Sequence, residues 1–255
     1  MEILLTNDDS YSSPLFHMII ERLSKFANLT VVVPKEEQSW KGKSITRFTP
    51  LSVDEIELNG HKAYTVDGTP ADCVNLGLYN LVESKPDMVV SGINIGLNTG
   101  LSFTLSSGTV GACIEANIAG FPAIALSQKL EREIFLNWVS QKHFDGEVLE
   151  HLQQQHDEVL DRVLNSLFET KGIFDSAITW NVNLPFELVD DWEVKDAILG
   201  RSYYGSCFKK NGDKFEHNLA SINKDLSENS DDRIVNDGHV SLTKIDIRDL
   251  GLISA

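Results

Sequence analysis

Two carboxylates stand side by side in Thr6-Asn7-Asp8-Asp9-Ser10, directly after a short apolar run. Adjacent acids repel each other unless a cation offsets their charge. Oxygen-only ligands of this kind suit magnesium or manganese rather than zinc. The plain alternative is a solvated turn in which Asp9 or Ser10 opens a helix. A second polar stretch, Pro34 to Thr46, carries Ser39, on its own an ordinary loop serine, but also a small hydroxyl able to reach the same crevice as the acids. Within it, Gly42-Lys43-Ser44 resembles the end of a phosphate-cradling loop, but that motif requires glycine at position 37, where this chain has Glu37.

The richest stretch is Ser91-Gly92-Ile93-Asn94-Ile95-Gly96-Leu97-Asn98-Thr99-Gly100, followed by Ser106-Ser107-Gly108-Thr109-Val110-Gly111-Ala112. Its glycines let the backbone approach a ligand closely. Asn94 and Asn98 offer neutral polar groups where another carboxylate would repel a phosphate. Ser107-Gly108-Thr109 stands where a helix begins, so unpaired N–H groups and hydroxyls converge as an anion site. The histidines are less informative: His151 and His156 are five apart, off the metal-binding i, i+4 spacing, and are expected at solvated positions, while His17 is a surface or packing residue of the first helix. No Gly-x-Ser-x-Gly elbow frames a nucleophilic serine.

These groups must be held by regular elements, and the first half alternates short apolar runs with amphipathic stretches. That is the pattern of an α/β fold with a mostly parallel sheet. Strands are expected at Glu2 to Thr6, Leu29 to Val33, Met88 to Ser91 and Pro122 to Leu126, with helices at Pro14 to Phe26 and Thr109 to Ala119. Leu51 to Leu58 and Ala63 to Val66 read as an antiparallel excursion around Asn59-Gly60. Thr69-Pro70-Ala71-Asp72 starts another helix, with Thr69 as cap and the acid at the positive helix end. In a parallel sheet the ligand crevice lies beyond the carboxyl ends of the strands, where all three polar stretches fall.

Residues 128–255 begin with long helical, acidic stretches up to Lys171, then strands at Ala177 to Val182 and Val240 to Ile247, with a polar region at Ser202 to Asp237 that follows no clear pattern. Residues 1–127 thus read as the α/β core, and 128–255 as its completion plus a helical and C-terminal extension, one domain overall.

With 255 residues, 42% of them hydrophobic, the chain can bury a sizeable core. A formal net charge of -16 argues against a nucleic-acid polymer as partner, since neutralising many phosphates needs a cationic surface. Three cysteines, Cys73, Cys113 and Cys207, form no Cys-x-x-Cys pair, and no apolar stretch is long enough to cross a membrane. A cytoplasmic protein with no membrane partner is expected.

The chain resembles the SurE survival proteins, metal-dependent nucleotidases and phosphatases that act on nucleoside monophosphates. The likeness rests on Thr6 to Asp9 with Tyr11 and Pro14, Gln38-Ser39 with Ser44 to Thr46, and Gly68 to Val74; on Ser91 to Asn94 with Gly96 and Asn98, and Ser107 to Ala112; and on Asn181 to Pro185 and Val240 to Thr243. The resemblance implies a Rossmann-like three-layer core whose C-terminal extension serves oligomerisation, as a homodimer or homotetramer. It implies one divalent cation per subunit, magnesium or manganese, on Asp8, Asp9, Ser39 and Asn94. Asp8 and Asp9 would be catalytic, and Asn98, Ser107, Gly108 and Thr109 the phosphate cradle. The substrate implied is a nucleoside 5'-monophosphate, with 3'-monophosphates and short polyphosphate as further candidates. Ser10, Leu15 and Trp40 stand where the family usually has glycine, and Lys244 where it has proline. Trp40 is thereby a candidate to stack on a nucleobase or simply to pack.

Three rival readings remain from the residues. A haloacid-dehalogenase-type phosphatase alternates its acids as Asp-x-Asp, whereas here they are adjacent. A receiver-like domain needs an aspartate at the end of its third strand, where this chain has Ser-Gly-Ile-Asn. A non-catalytic metal- and phosphate-binding protein of the same fold would release no phosphate with any divalent metal.

Overall fold

The computed structural model describes residues 1–249; residues 250–255, the end of the expected C-terminal extension, lie outside the described ones. Glu2–Thr6 forms β1, almost wholly buried, as an apolar run covered by helices on both faces should be. Helix α1 (Pro14–Leu23) starts with Ser13 as cap and proline in its first turn. Strands β2 (Asn28–Pro34), β3 (Val53–Leu58) and β4 (His61–Val66) follow, the last two as a hairpin turning through Asn59 and Gly60, both at positive φ. At the start of α2 (Pro70–Leu76), Thr69 and Asp72 close a reciprocal capping box; a π-helical turn, Gly77–Leu81, continues it.

Strand β5 (Met88–Ile95) leads to α3 (Gly100–Ser106), α4 (Gly108–Ile118) and β6 (Ala123–Gln128). Helices α5 (Arg132–Gln141) and α6 (Gly146–Phe168) precede β7 (Thr179–Leu184) and β8 (Val194–Ala197). The polar region then resolves into β9 (Tyr203–Tyr204), the hairpin β10 (Phe208–Asn211) and β11 (Lys214–His217), β12 (Ile222–Asn223), and α7 (Asp231–Asn236). Strand β13 (Val240–Ile245) stops two residues short of its expected end and is followed by a 3-10 turn.

The main sheet has nine strands in the order β3-β4-β2-β1-β5-β6-β7-β13-β8. Within this sheet, among the described residues, only the β3–β4 and β7–β13 pairings are antiparallel. One apolar cluster packs α1 and α6 on the sheet, and another packs α2 and α4 on it. This is an α/β fold with helices on both sides of a mostly parallel sheet. The chain leaves β1 toward β2 on one side and returns to β5 on the other, so the switch point of the strand order lies between β1 and β5.

One expectation is corrected. His156 is 1% exposed in α6, and its Nε2 lies 2.7 Å from Gln128 Oε1 at the end of β6. Period alone had suggested two solvated histidines, but α6 packs on the sheet along the face that carries His156, whereas His151 stays partly exposed against Phe186.

Candidate active site

The carboxyl ends of β1, β2 and β5 and the start of α4 meet at the switch point. Asp8 and Asp9 emerge from β1 and are both buried. Asp8 is held by α4: the Thr109 hydroxyl donates to Oδ1 at 2.6 Å and the Thr109 N–H to Oδ2 at 3.2 Å. Asp9 is held by β5, the Ile95 N–H donating to Oδ2 at 2.7 Å, and Oδ1 receives no hydrogen bond among the described residues. Burial raises both carboxyl pKa values, and the negative charge of Asp8 pushes Asp9 further up.

The loop after β2 is fastened to the pair by the Gln38 N–H, which donates to the Asp8 carbonyl at 2.7 Å. Ser39 follows, and its hydroxyl donates to Glu37 Oε1 at 2.8 Å. Glu37 also accepts from Lys142 at the end of α5. Burial alone would lift the Glu37 carboxyl, but the bonds from Lys142 and Ser39 outweigh it and hold the group below its ordinary range.

Asn94 enters where β5 is irregular. The register with β6 shifts between Ser91 and Asn94, and a Cβ on Gly92 would lie 2.3 Å from the Leu126 carbonyl oxygen, so only glycine fits there. The Asn94 Nδ2 donates to the Gly96 carbonyl at 2.6 Å, leaving its carbonyl oxygen without a donor among the described residues. Gly108 lies directly against Asp8, where a Cβ would sit 2.8 Å from the Asp8 Cβ. Ser107 caps α4 by accepting from the Val110 N–H at 3.1 Å.

Asp8, Asp9, Ser39, Asn94, Ser107, Gly108 and Thr109 therefore gather at one crevice, although both donors of Thr109 are committed to Asp8. Asn98 turns toward the next strands instead. Its Nδ2 donates to Ser127 Oγ at 2.8 Å, its N–H to Asn183 Oδ1 at 2.8 Å, and its carbonyl accepts from Asn181 Nδ2 at 2.8 Å. Lys43, which the phosphate-loop comparison had singled out, pairs with Glu115 at 2.6 Å.

Residue-by-residue reading had missed Glu37 and Lys142, which are 105 positions apart and carry no motif. It had also missed Asp231 and Asp232. Asp231 accepts from the Gly100 and Gly200 N–H groups at 2.8 and 3.0 Å, and Asp232 from Thr99 Oγ1 at 2.9 Å, so α7 ties down the loop that follows Asn98. Trp40 packs at 4.9 Å from the His217 ring, 5.0 Å from Tyr204 and 5.9 Å from Phe103, and remains 41% exposed.

Among the described residues, no group of three or more His, Cys, Asp or Glu side chains could hold a metal ion. The donors available are two carboxylates supplemented by neutral oxygens, a set that fits a hard divalent cation and not zinc. Two buried, mutually repelling carboxylates with an unused oxygen are the observation that supports this fit.

Residues 3–205 match the family described as survival protein SurE. A protein of Thermoanaerobacter sp. (strain X514) named 5'-nucleotidase SurE is 36% identical over 253 residues, covering 96% of this chain and 92% of that protein. One of the same name from Methanocorpusculum labreanum is 37% identical over 209 residues, 82% of this chain and 76% of that one. The crystal structure of the SurE protein from Aquifex aeolicus superposes with a TM-score of 0.70 at 30% identity, covering 97% of this chain and 94% of that one.

Proposed function

The chain belongs to the SurE survival protein family, and from that premise we propose that it is a divalent-metal-dependent 5'-nucleotidase, converting nucleoside 5'-monophosphates to nucleoside and phosphate. The observation that carries the reading is the buried Asp8–Asp9 pair at the switch point of the sheet, with the start of α4 beside it. Asp8, Asp9, Ser39 and Asn94 are the residues that would hold one cation, magnesium or manganese. Held by these residues, a cation would offset phosphoryl charge and lower the pKa of a water molecule.

The protein's own groups divide the remaining work. Asp9, whose Oδ1 receives no hydrogen bond among the described residues, orients the attacking water and accepts its proton. The water oxygen bonds to phosphorus as the ester P–O bond breaks, and the proton removed from the water is delivered, directly or through solvent, to the departing nucleoside oxygen. Asp8 is fixed by Thr109 and serves as ligand. The Gly108 N–H at the start of α4 and the Ser107 hydroxyl cradle the phosphoryl oxygens, while Asn98, bonded to Ser127 and Asn183, braces the loop behind them. Thr109 contributes to that cradle by anchoring Asp8 beside it.

3'-Monophosphates and short polyphosphate are further candidate substrates of the same cleft. A homodimer or homotetramer is the proposed assembly, a reading supported by the exposed Phe208 and Phe215 on the β10–β11 hairpin, and the cytoplasm is its proposed location. None of its described helices is long and apolar enough to cross a membrane. The test is a phosphate-release screen over nucleoside 5'- and 3'-monophosphates with magnesium, manganese and cobalt. Metal-dependent release, greatest with 5'-monophosphates, is expected; no release with any metal would favour a binding protein instead.

A further inference from the structure

Ser39 is the weakest of the four proposed ligands, because a neutral hydroxyl can present either its proton or its lone pairs to a cation. Its proton is already committed: it is donated to Glu37 Oε1 at 2.8 Å. Both Ser39 lone pairs are thereby left for another partner. Glu37 is itself clamped, since its second carboxylate oxygen accepts from Lys142. The clamp comes from α5, whose Lys142 caps the helix in a left-handed conformation and also lies over the ring of buried Trp138, 5.7 Å from its centroid.

Glu37 is not a candidate ligand in its own right. It does not combine with Asp8 and Asp9 into a three-carboxylate metal cluster. An uncompensated third carboxylate beside the pair would also add to the repulsion that Asp8 and Asp9 already carry. The Lys142 ammonium supplies the compensation, so the acid can act as a hydrogen-bond acceptor without leaving its charge unpaired. Residues that orient a ligand in this way shape metal affinity without touching the metal.

We propose that Glu37 is a positioning residue for the divalent cation: it takes the proton of Ser39 so that the hydroxyl oxygen faces the metal, and Lys142 of α5 holds Glu37 in place. The inference rests on the reading of Asp8, Asp9, Ser39 and Asn94 as metal ligands. It assigns to α5, outside the residues that carry the family resemblance, a part in assembling the site.

The experiment is calorimetric titration of manganese into the metal-free full-length protein, with circular dichroism and thermal melting to verify folding. Wild type and Asp9→Asn are measured first, because loss of manganese binding in Asp9→Asn tests the ligand reading itself; unchanged binding there overturns that reading and the inference with it. Given that loss, Glu37→Ala is expected to weaken manganese affinity about 10- to 100-fold. Glu37→Gln, which keeps an acceptor for Ser39, should stay within a few-fold of wild type. Lys142→Met should fall between them. Because Glu37 acts through Ser39, the double variant Ser39→Ala/Glu37→Ala should bind no more weakly than Ser39→Ala alone. Folded Glu37→Ala with wild-type affinity, or a double variant showing the full sum of the two losses, would overturn the proposal.

Discussion

Asp8 and Thr109 lie 101 positions apart in the chain, yet the Thr109 side chain and backbone donate to the two oxygens of the Asp8 carboxylate, at 2.6 and 3.2 Å. One residue of the first turn of α4 thus fixes the plane of a carboxylate at the end of β1. Asp9 has one such tether, from Ile95. This inequality sets what each acid does and what happens when either is changed.

Asp9→Asn should abolish phosphate release while making the metal-free protein more stable, on the order of 1 kcal/mol, because it removes one of two buried repelling charges and its carbonyl can still accept from Ile95. Urea denaturation in chelator measures the stability. Divalent metal at about 100 times its dissociation constant should stabilise wild type by about 2.7 kcal/mol and leave Asp9→Asn unmoved. A variant that is both active and metal-stabilised would remove Asp9 from the site.

Gly108→Ala and Gly111→Ala separate activity from folding. A Cβ at 108 would meet the Asp8 side chain at 2.8 Å and displace it, so kcat should fall about 100-fold with the fold intact. At 111 the added carbon would lie 2.3 Å from the Gly42 carbonyl, which is backbone and cannot swing aside; a loss of about 1–3 kcal/mol is expected. Thermal melting and initial rates on both variants decide whether the two costs separate.

His156 should make the protein acid-sensitive. Burial, with help from the charges of Arg22 and His151, pushes its pKa down to about 3. Its stabilising contribution is therefore present above the unfolded value near 6.5 and is lost as pH falls toward about 3, at up to about 1.4 kcal/mol per pH unit. His156→Gln should flatten the stability profile between pH 4 and 6.5. Parallel profiles for the two proteins would contradict the burial.

Asp231 works in the opposite sense. Burial raises its carboxyl to about 6, against the lowering effect of the Gly100 and Gly200 N–H bonds. Stability from this group is complete below the unfolded value near 3.9 and disappears as pH rises through about 6, amounting to about 3 kcal/mol. Asp231→Asn will lose stability overall by facing an amide N–H to backbone donors. Relative to wild type, though, it should recover steadily between pH 4 and 6, a difference readable from paired urea melts.

Much of the frame was legible in the residues. The β-branched and apolar run before Asp8, the Asn59-Gly60 turn and the Thr69/Asp72 cap each specify a local conformation through short-range sterics and hydrogen bonds, and each stands where expected. Local signals were silent on α3, on the small strands between 203 and 223 and on α7, whose apolar content is low and whose order comes from contacts with distant segments. His156 was misjudged because helical period does not say which face meets the sheet.

At the site, the sequence by itself determined the chemistry on offer: two adjacent acids, a serine, two asparagines and a glycine-rich helix start, each at the end of an element that local pattern could identify. The tertiary structure alone decided how those groups are used. It turned Asn98 toward Ser127, gave the donors of Thr109 to Asp8, and set Lys142 on Glu37 so that the Ser39 proton has somewhere to go. Element formation depends on neighbours a few residues away, whereas a hydrogen bond across 101 or 105 positions depends on strand order and helix packing, which no local pattern encodes.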